Sequence, residues 1–317
     1  MSSIDKAITG KNTYLKFVKK NTFMGKSFLY KTHIGKDSAS ITKEKYLLDN
    51  LNEITEKELE FKIKFLEKIA GKMTYSQYLI ESVEKKSILI ENLKEIKKYP
   101  EAIETDFAIK FIFNSNNIEG SKVPEHVVKK IIESGKLDYK NKNEAREALN
   151  SIDAFKYLKD FNFNFASIKR LYYLLTDKLL MENQNPYPKG FKKTNIVVGN
   201  SATTSPKDVE DELSNLIKLY KENRKKIHPL LLAFDFHLRY EVIHPFRDGN
   251  GRTGRLILNK ILMQNGYPPI IVYKENKSAY FNALEKARNG NKKKYYQFML
   301  EQMNRSYDYQ LELLNKY

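Results

Sequence analysis

The 317-residue sequence contains no cysteine and no tryptophan. Without cysteine the chain forms neither disulfides nor thiolate metal sites, which fits a reducing compartment. No stretch approaches the roughly 20 consecutive apolar residues that a membrane-spanning helix needs. The longest apolar runs, Pro229 to Phe234 and Pro268 to Tyr273, are short. Residues 1–12 hold no apolar secretory segment, so a cytoplasmic location without membrane contact is expected. Arginine is scarce too, supplying only nine of 56 basic residues. The net charge of +17 therefore rests on lysines spread over every segment. Base reading and bidentate phosphate recognition favour arginine, so nucleic acid is not expected as the main ligand.

What remains is an ordinary globular composition, 41% apolar and 12% aromatic, long enough for one large domain or two modest ones. Residues 13–35 read as a β-hairpin, with Tyr14, Phe17, Val18 and then Phe28, Leu29, Tyr30 flanking a turn that contains Gly25. From Thr42 to about Lys98 apolar residues recur at helical spacing, as in Leu59, Ile63, Leu66 and Ala70, so helices are expected there with a break near Gly71. Pro100 marks a boundary between an N-terminal extension, 1–100, and the remainder, 101–317. Further helices are expected at Thr105–Ile118, stopped by Gly120, and at Pro124–Ser134, Asn143–Lys159 and Ile168–Met181. The pattern resumes at Asp208–Lys225, Pro229–Val242, Arg252–Gln264 and Ser278–Lys286, with one more helix toward the C-terminus. Between them, 183–206 breaks the pattern with three prolines, two glycines and the β-prone run Asn195 to Val198, and reads as a projecting hairpin. The fold class is mostly α.

The chemistry concentrates in His244-Pro-Phe-Arg-Asp-Gly-Asn-Gly-Arg-Thr-Gly-Arg255. Pro245 ends one helix, Asp248 to Gly251 is expected to be irregular, and the apolar pattern from Leu256 starts another. Backbone N–H groups of such a loop and of the following helix form a concave anion site. Three of the nine arginines, Arg247, Arg252 and Arg255, fall within these twelve residues, which suggests planar recognition of phosphate. Arg252, Arg255 and Asn259 share one helix face by spacing. Asp248 is placed to hold Mg²⁺ together with phosphate oxygens. His244 is the loop's only group that titrates near neutrality, hence the candidate general base.

This segment resembles the signature of Fic-domain proteins, His-Pro-Phe-x-x-Gly-Asn-Gly-Arg-x-x-Arg, and matches every fixed position. The resemblance implies a Fic-type helical bundle with a β-hairpin flap. It also implies ATP and Mg²⁺ as co-substrate and cofactor, with transfer of AMP to a Ser, Thr or Tyr hydroxyl of a target protein. Carried onto this chain, it makes His244 the base and Asp248 the metal ligand. Gly249, Asn250 and Gly251 become the phosphate cradle, Arg252 a β-phosphate contact and Arg255 a γ-phosphate contact. Phe246 becomes a buried anchor. The flap would pair with the target through Thr194, Asn195, Ile196, Val197 and Val198, ending at Gly199. Lys192 stands where the family usually has arginine, which leaves its role open. Tyr280 and Asn259 are the candidates the resemblance offers for an adenine pocket.

Ser115-Asn-Asn-Ile-Glu119-Gly120 resembles the inhibitory motif of autoregulated members whose inhibitory helix precedes the catalytic loop. By that resemblance Ser115 and Glu119 lie on an inhibitory helix, about 105–120. A carboxylate beside Arg255 would satisfy that guanidinium and repel the γ-phosphate. In some relatives the same glutamate also positions a water that removes AMP, and both directions stay open here. The resemblance covers roughly 105–303, which leaves residues 1–100 for target choice, packing or a homo-oligomer contact. Two other readings remain: a Fic-fold transferase of another phosphate-containing group, and a non-catalytic module binding nucleic acid.

Overall fold

The computed structural model describes residues 14–19, 27–34, 43–48, 77–96, 101–199, 201–224 and 227–316. The first three of these spans are strands, β1 (Tyr14–Lys19), β2 (Ser27–Ile34) and β3 (Lys43–Leu48). They form one antiparallel sheet in that order, pairing Tyr14 with Ile34 and Ser27 with Leu48. The expected hairpin is therefore there, and a third strand occupies the start of the span read as helical. The reason is non-local: β2 offers a second edge of unpaired N–H and C=O groups, and pairing overrides the helical preference of a Lys, Glu and Leu-rich segment. Gly25, Gly35 and the break near Gly71 lie outside the described residues.

The body is helical. Helix α1 (Gln77–Ile96) packs along the last helix, α10 (Lys292–Lys316), and buries Val83 and Ile90 in the common core. Ser82 donates to Asn304 Oδ1 at 2.7 Å across that contact. Then come α2 (Glu101–Ile118), α3 (Glu125–Ser134), α4 (Lys142–Lys156) and α5 (Phe165–Thr176). Asn141 and Asn164 cap the last two by accepting first-turn N–H groups, as Asn does at N-caps. The expected helix through Met181 stops at Thr176. Lys178 takes a left-handed φ of 54°, and Leu180 instead bridges to Pro186. A two-strand hairpin follows, β4 (Val197–Val198) with β5 (Ser201–Ala202), much shorter than the 183–206 span read as a hairpin.

The chain then returns through α6 (Val209–Asn223) to the central pair, α7 (Pro229–Ile243) and α8 (Asn250–Gln264), and on to α9 (Lys277–Arg288). Helix α8 is buried on every side from Arg252 to Leu262. No described helix is long and apolar enough to cross a membrane.

Between α8 and α9 the chain crosses the interior without regular structure, with Ile270, Ile271, Val272 and Tyr273 all buried. Buried backbone needs partners, and side chains from α8 and α10 supply them. Asn259 donates to Ile270 O (2.9 Å) and accepts from Ile270 N (2.7 Å). Ser306 brackets Ile271 in the same way, and Gln302 accepts from Tyr273 N at 3.0 Å. Tyr307 donates to Pro268 O at 3.1 Å, and Gln310 to Pro269 O at 2.9 Å. Both ends of the Asn259 amide are thus occupied by backbone, so the side chain that the resemblance offered for an adenine pocket holds a strand-like segment in place. Asn259→Ala strands two buried backbone groups, at a cost of about 1–3 kcal/mol each. Urea unfolding should show a midpoint well below that of the native protein, and an unchanged midpoint would contradict this account.

Candidate active site

The connection between α7 and α8 is built on one buried ring and one buried amide. Phe246 is fully buried and stacks on Tyr172, with centroids 4.1 Å apart and planes 5° from parallel. Asn250 Oδ1 accepts from Phe246 N at 2.8 Å, and its Nδ2 donates to Phe246 O at 2.9 Å. The asparagine thereby closes the loop upon itself. Gly249 makes the sharp entry to α8 with φ 72°, a left-handed value that suits glycine. Thr253 seals the turn with its N–H and hydroxyl both donating to Gly249 O. Asn250 and Gly251, expected to be irregular, are instead the first turn of α8. The N–H groups of Asn250, Gly251 and Arg252 thus have no helical acceptor and carry the positive end of the helix dipole.

Into that helix end comes a carboxylate. Gly251 faces Glu119 so closely that a Cβ on it would stand 2.3 Å from Glu119 Oε1. Glu119 Oε1 accepts from an Arg255 terminal nitrogen at 2.6 Å. Ser115 binds the same guanidinium, its Oγ accepting from Arg255 Nε at 2.9 Å and its carbonyl from the same terminal nitrogen at 3.0 Å, while the other terminal nitrogen, Nη1, is buried without a hydrogen-bond partner. Glu119 thus stands where an anion on this helix end would stand. Arg252 is paired as well, with Glu147 of α4, and its second terminal nitrogen lies 4.0 Å from Asp248.

His244 caps α7 at a left-handed φ of 50° and donates its N–H to Tyr240 O at 2.9 Å. Burial, then the nearby Lys192 and Arg288 cations, push its imidazole down to about 4. It is therefore uncharged at neutral pH, with a lone pair available to accept a proton. Behind it, burial pushes the Glu241 carboxyl up to about 7, and its Oε1 has no hydrogen-bond partner. Asp248 Oδ2 accepts from the Tyr187 hydroxyl at 2.9 Å, and Oδ1 from Gly249 N at 2.5 Å. Among the described residues no group of three His, Asp or Glu side chains converges on one point. A lone half-exposed carboxylate at the cradle's edge fits Mg²⁺ that draws its other ligands from phosphate and water.

The hairpin β4–β5 stands beside this loop, with Val197 65% exposed. Thr194 Oγ1 accepts from Arg247, which lies at the surface, so of the loop's three arginines this one faces the hairpin and the other two face the helix end. A groove of about 1010 Å³ runs from the hairpin residues Asn195, Ile196 and Val197 to Arg247 and Asp248.

The sequence profile of the Fic/DOC family matches residues 163–262. That span is similar to a Fic domain. Its relatives include the protein adenylyltransferase Fic of Culex quinquefasciatus, 29% identical over 238 residues, which are 73% of this chain and 47% of that protein. Its counterpart in Drosophila mojavensis is 30% identical over 205 residues, 62% of this chain and 40% of that protein. The chain thus spans about half the length of the curated relatives it matches. The fold agrees with a Fic domain containing signaling protein from Bacteroides thetaiotaomicron, at a TM-score of 0.65 and 21% identity, covering 75% of this chain and 98% of that one.

His244, Asp248, Gly249, Asn250, Gly251, Arg252 and Arg255, all within the matched span, come together around the α8 end with Ser115 and Glu119, which lie before it. Tyr280 lies deeper, its hydroxyl 2.7 Å from His237 Nε2 and its ring nearly parallel to that imidazole. Glu147, Tyr187 and Glu241 escaped the sequence reading. A lone acid in a helix carries no local signal, although Glu241, three residues before the candidate base on an otherwise apolar stretch, was the most visible of the three. The His244 assignment makes a direct prediction. Its imidazole should titrate near 4 by NMR instead of near 6.5. The native state then resists a proton that the unfolded chain accepts, so this residue's contribution to stability is lost as pH falls from about 6.5 toward 4. A titration midpoint near 6.5 would contradict the site.

Proposed function

We propose that this protein is an autoinhibited adenylyltransferase that moves AMP from ATP to a Ser, Thr or Tyr hydroxyl of a target protein. The observation that carries this reading is an uncharged His244 beside a helix N-terminus flanked by two buried guanidiniums, one of them held by Glu119. Base and anion cradle together are what an in-line displacement at phosphorus needs. The kinship with proteins named adenylyltransferases supports the donor and the group transferred.

The acceptor hydroxyl would lose its proton to the His244 imidazole as its oxygen bonds to the α-phosphorus and pyrophosphate departs. The N–H groups of Asn250, Gly251 and Arg252 would hold the phosphates, assisted by the Arg252 guanidinium. The Asn250 side chain, which the resemblance offered as part of the cradle, would shape it from behind. Asp248 would hold Mg²⁺, which when bound neutralises phosphate charge. Tyr187, whose hydroxyl burial and Asp248 keep protonated, would donate to that carboxylate when no cation is there. The hairpin would pair with the target backbone as an added strand. A reducing compartment such as the cytosol fits the lack of cysteine.

Glu119 would act as a brake by holding Arg255 and placing negative charge at the cradle. The γ-phosphate would have to displace a charge-assisted hydrogen bond of about 1.5–3 kcal/mol to reach Arg255. Glu119→Gly should therefore raise transfer of label from ATP labelled on its α-phosphate by about ten- to hundredfold. Adding His244→Ala to that variant should lower it by about 10²–10⁴-fold, the usual contribution of a general base. Equal rates in the native protein and Glu119→Gly would sink the brake. Label transfer that survives His244→Ala would sink the base.

A further inference from the structure

The hairpin is fastened to the catalytic loop by one buried cation. Lys192 is 4% exposed, while the adjacent Lys193 is exposed. Its backbone N–H donates to Pro245 O at 2.8 Å. Its Nζ donates to Ile243 O at 3.1 Å and to Thr203 Oγ1 at 2.7 Å. Thr203 passes the connection on, its hydroxyl donating to Ile196 O at 2.7 Å and its N–H to the same carbonyl at 3.2 Å. Thr204 N donates to Val242 O at 3.1 Å. The carbonyls of Val242, Ile243 and Pro245 surround His244 in sequence. Those of Val242 and Ile243 belong to the last turn of α7, where helical donors are lacking. The hairpin's base supplies donors to all three.

We infer that Lys192 is a positioning residue, which bonds Ile243 O and Thr203 Oγ1 at once and so sets the height of the hairpin's outer strand relative to the His244 imidazole. This inference rests on the transferase reading for its kinetic consequence, and its effect on His244 follows from a cation bonded to the carbonyl of the preceding residue. An ammonium group at the C-terminus of α7 faces the negative end of that helix, and burial pulls the Lys192 ammonium down to about 8. The charged groups that act on His244 come from three elements, Lys192 at the hairpin's base, Arg288 of α9 and Glu119 after α2, and on its own helix the backbone of Glu241 hydrogen-bonds the imidazole. Lys192 heads the charges that disfavour the imidazolium. Removing it should raise the His244 midpoint.

Three substitutions separate the two effects, each made in the Glu119→Gly protein. Thr203→Val cuts the link to the hairpin and leaves the cation. It should raise the KM for the target protein about tenfold, the scale of one hydrogen bond to a charged group, with the His244 titration unmoved. Lys192→Met should raise the target KM similarly and also move the NMR titration of His244, and the acid limb of the rate profile, to higher pH. Lys192→Arg keeps charge and donors and should restore both. The KM for ATP should stay within about twofold throughout, since no nucleotide contact is touched. An unmoved His244 titration in Lys192→Met overturns the inference whether or not any transfer is seen. A rise in the ATP KM equal to that for the target would show general loosening and overturn it as well. Absence of label transfer in every variant, with the titration shifted, would fault the transferase reading and leave the coupling of Lys192 to His244 standing.

Discussion

The structure depends on burying a polar helix in the middle of an apolar core. Along α8, Asn250, Arg252, Thr253, Arg255, Asn259 and Lys260 are all nearly inaccessible to water. Charges and amides in such a place are costly unless each is hydrogen-bonded. Their partners come from elements distant in sequence: Ser115 and Glu119 at the end of α2, Glu147 on α4, and the carbonyls of Leu158 and Ile270. The helices around α8 supply these partners, and among its guanidinium nitrogens Arg252 Nε and Arg255 Nη1 are left without one. At its N-terminal turn the Glu119 carboxylate lies against Gly251, on the helix end whose first three N–H groups have no helical acceptor.

The electrostatics of the site follow from this arrangement. Each guanidinium of the cradle already has a carboxylate, so the two cations are fixed in place before any phosphate arrives. Fixed dipoles and charges need little reorganisation when charge develops on a reacting group. The neighbouring acids differ in environment. Asp248 is half-exposed at the rim, while Glu241 is sealed behind the loop and pushed up to about 7 by burial. The depressed His244 completes a set of groups whose protonation is sorted by depth.

Much of this was legible in the sequence. The loop announced itself because its residues are contiguous, and the hairpin because proline and glycine interrupt a helical pattern. What failed was whatever depended on partners far along the chain. Glu147 meets Arg252 across 105 residues, and nothing near it in sequence marks it out. Asn259 shares a helix face with Arg255, but on a helix buried all round each face has a different neighbour, and its own is the backbone of Ile270. Helix α8 begins two residues earlier than the expected start at Arg252 because Gly251, a poor helix former, costs little at an N-terminus. Strand β3 formed because β2 had an edge to fill.

The hairpin joins the body at its base and is open at its tip. Its base residues Lys192, Thr203 and Thr204 are tied to the backbone around His244, whereas Val197 stands out exposed. The two parts answer to different pressures. On the proposed reading, changes at the tip would redirect which chain is gripped without disturbing the imidazole, and changes at the base would not. Selectivity and reactivity would then be separable along a few residues of one loop, and this small appendage would be the place where new recognition is acquired with the chemistry left intact.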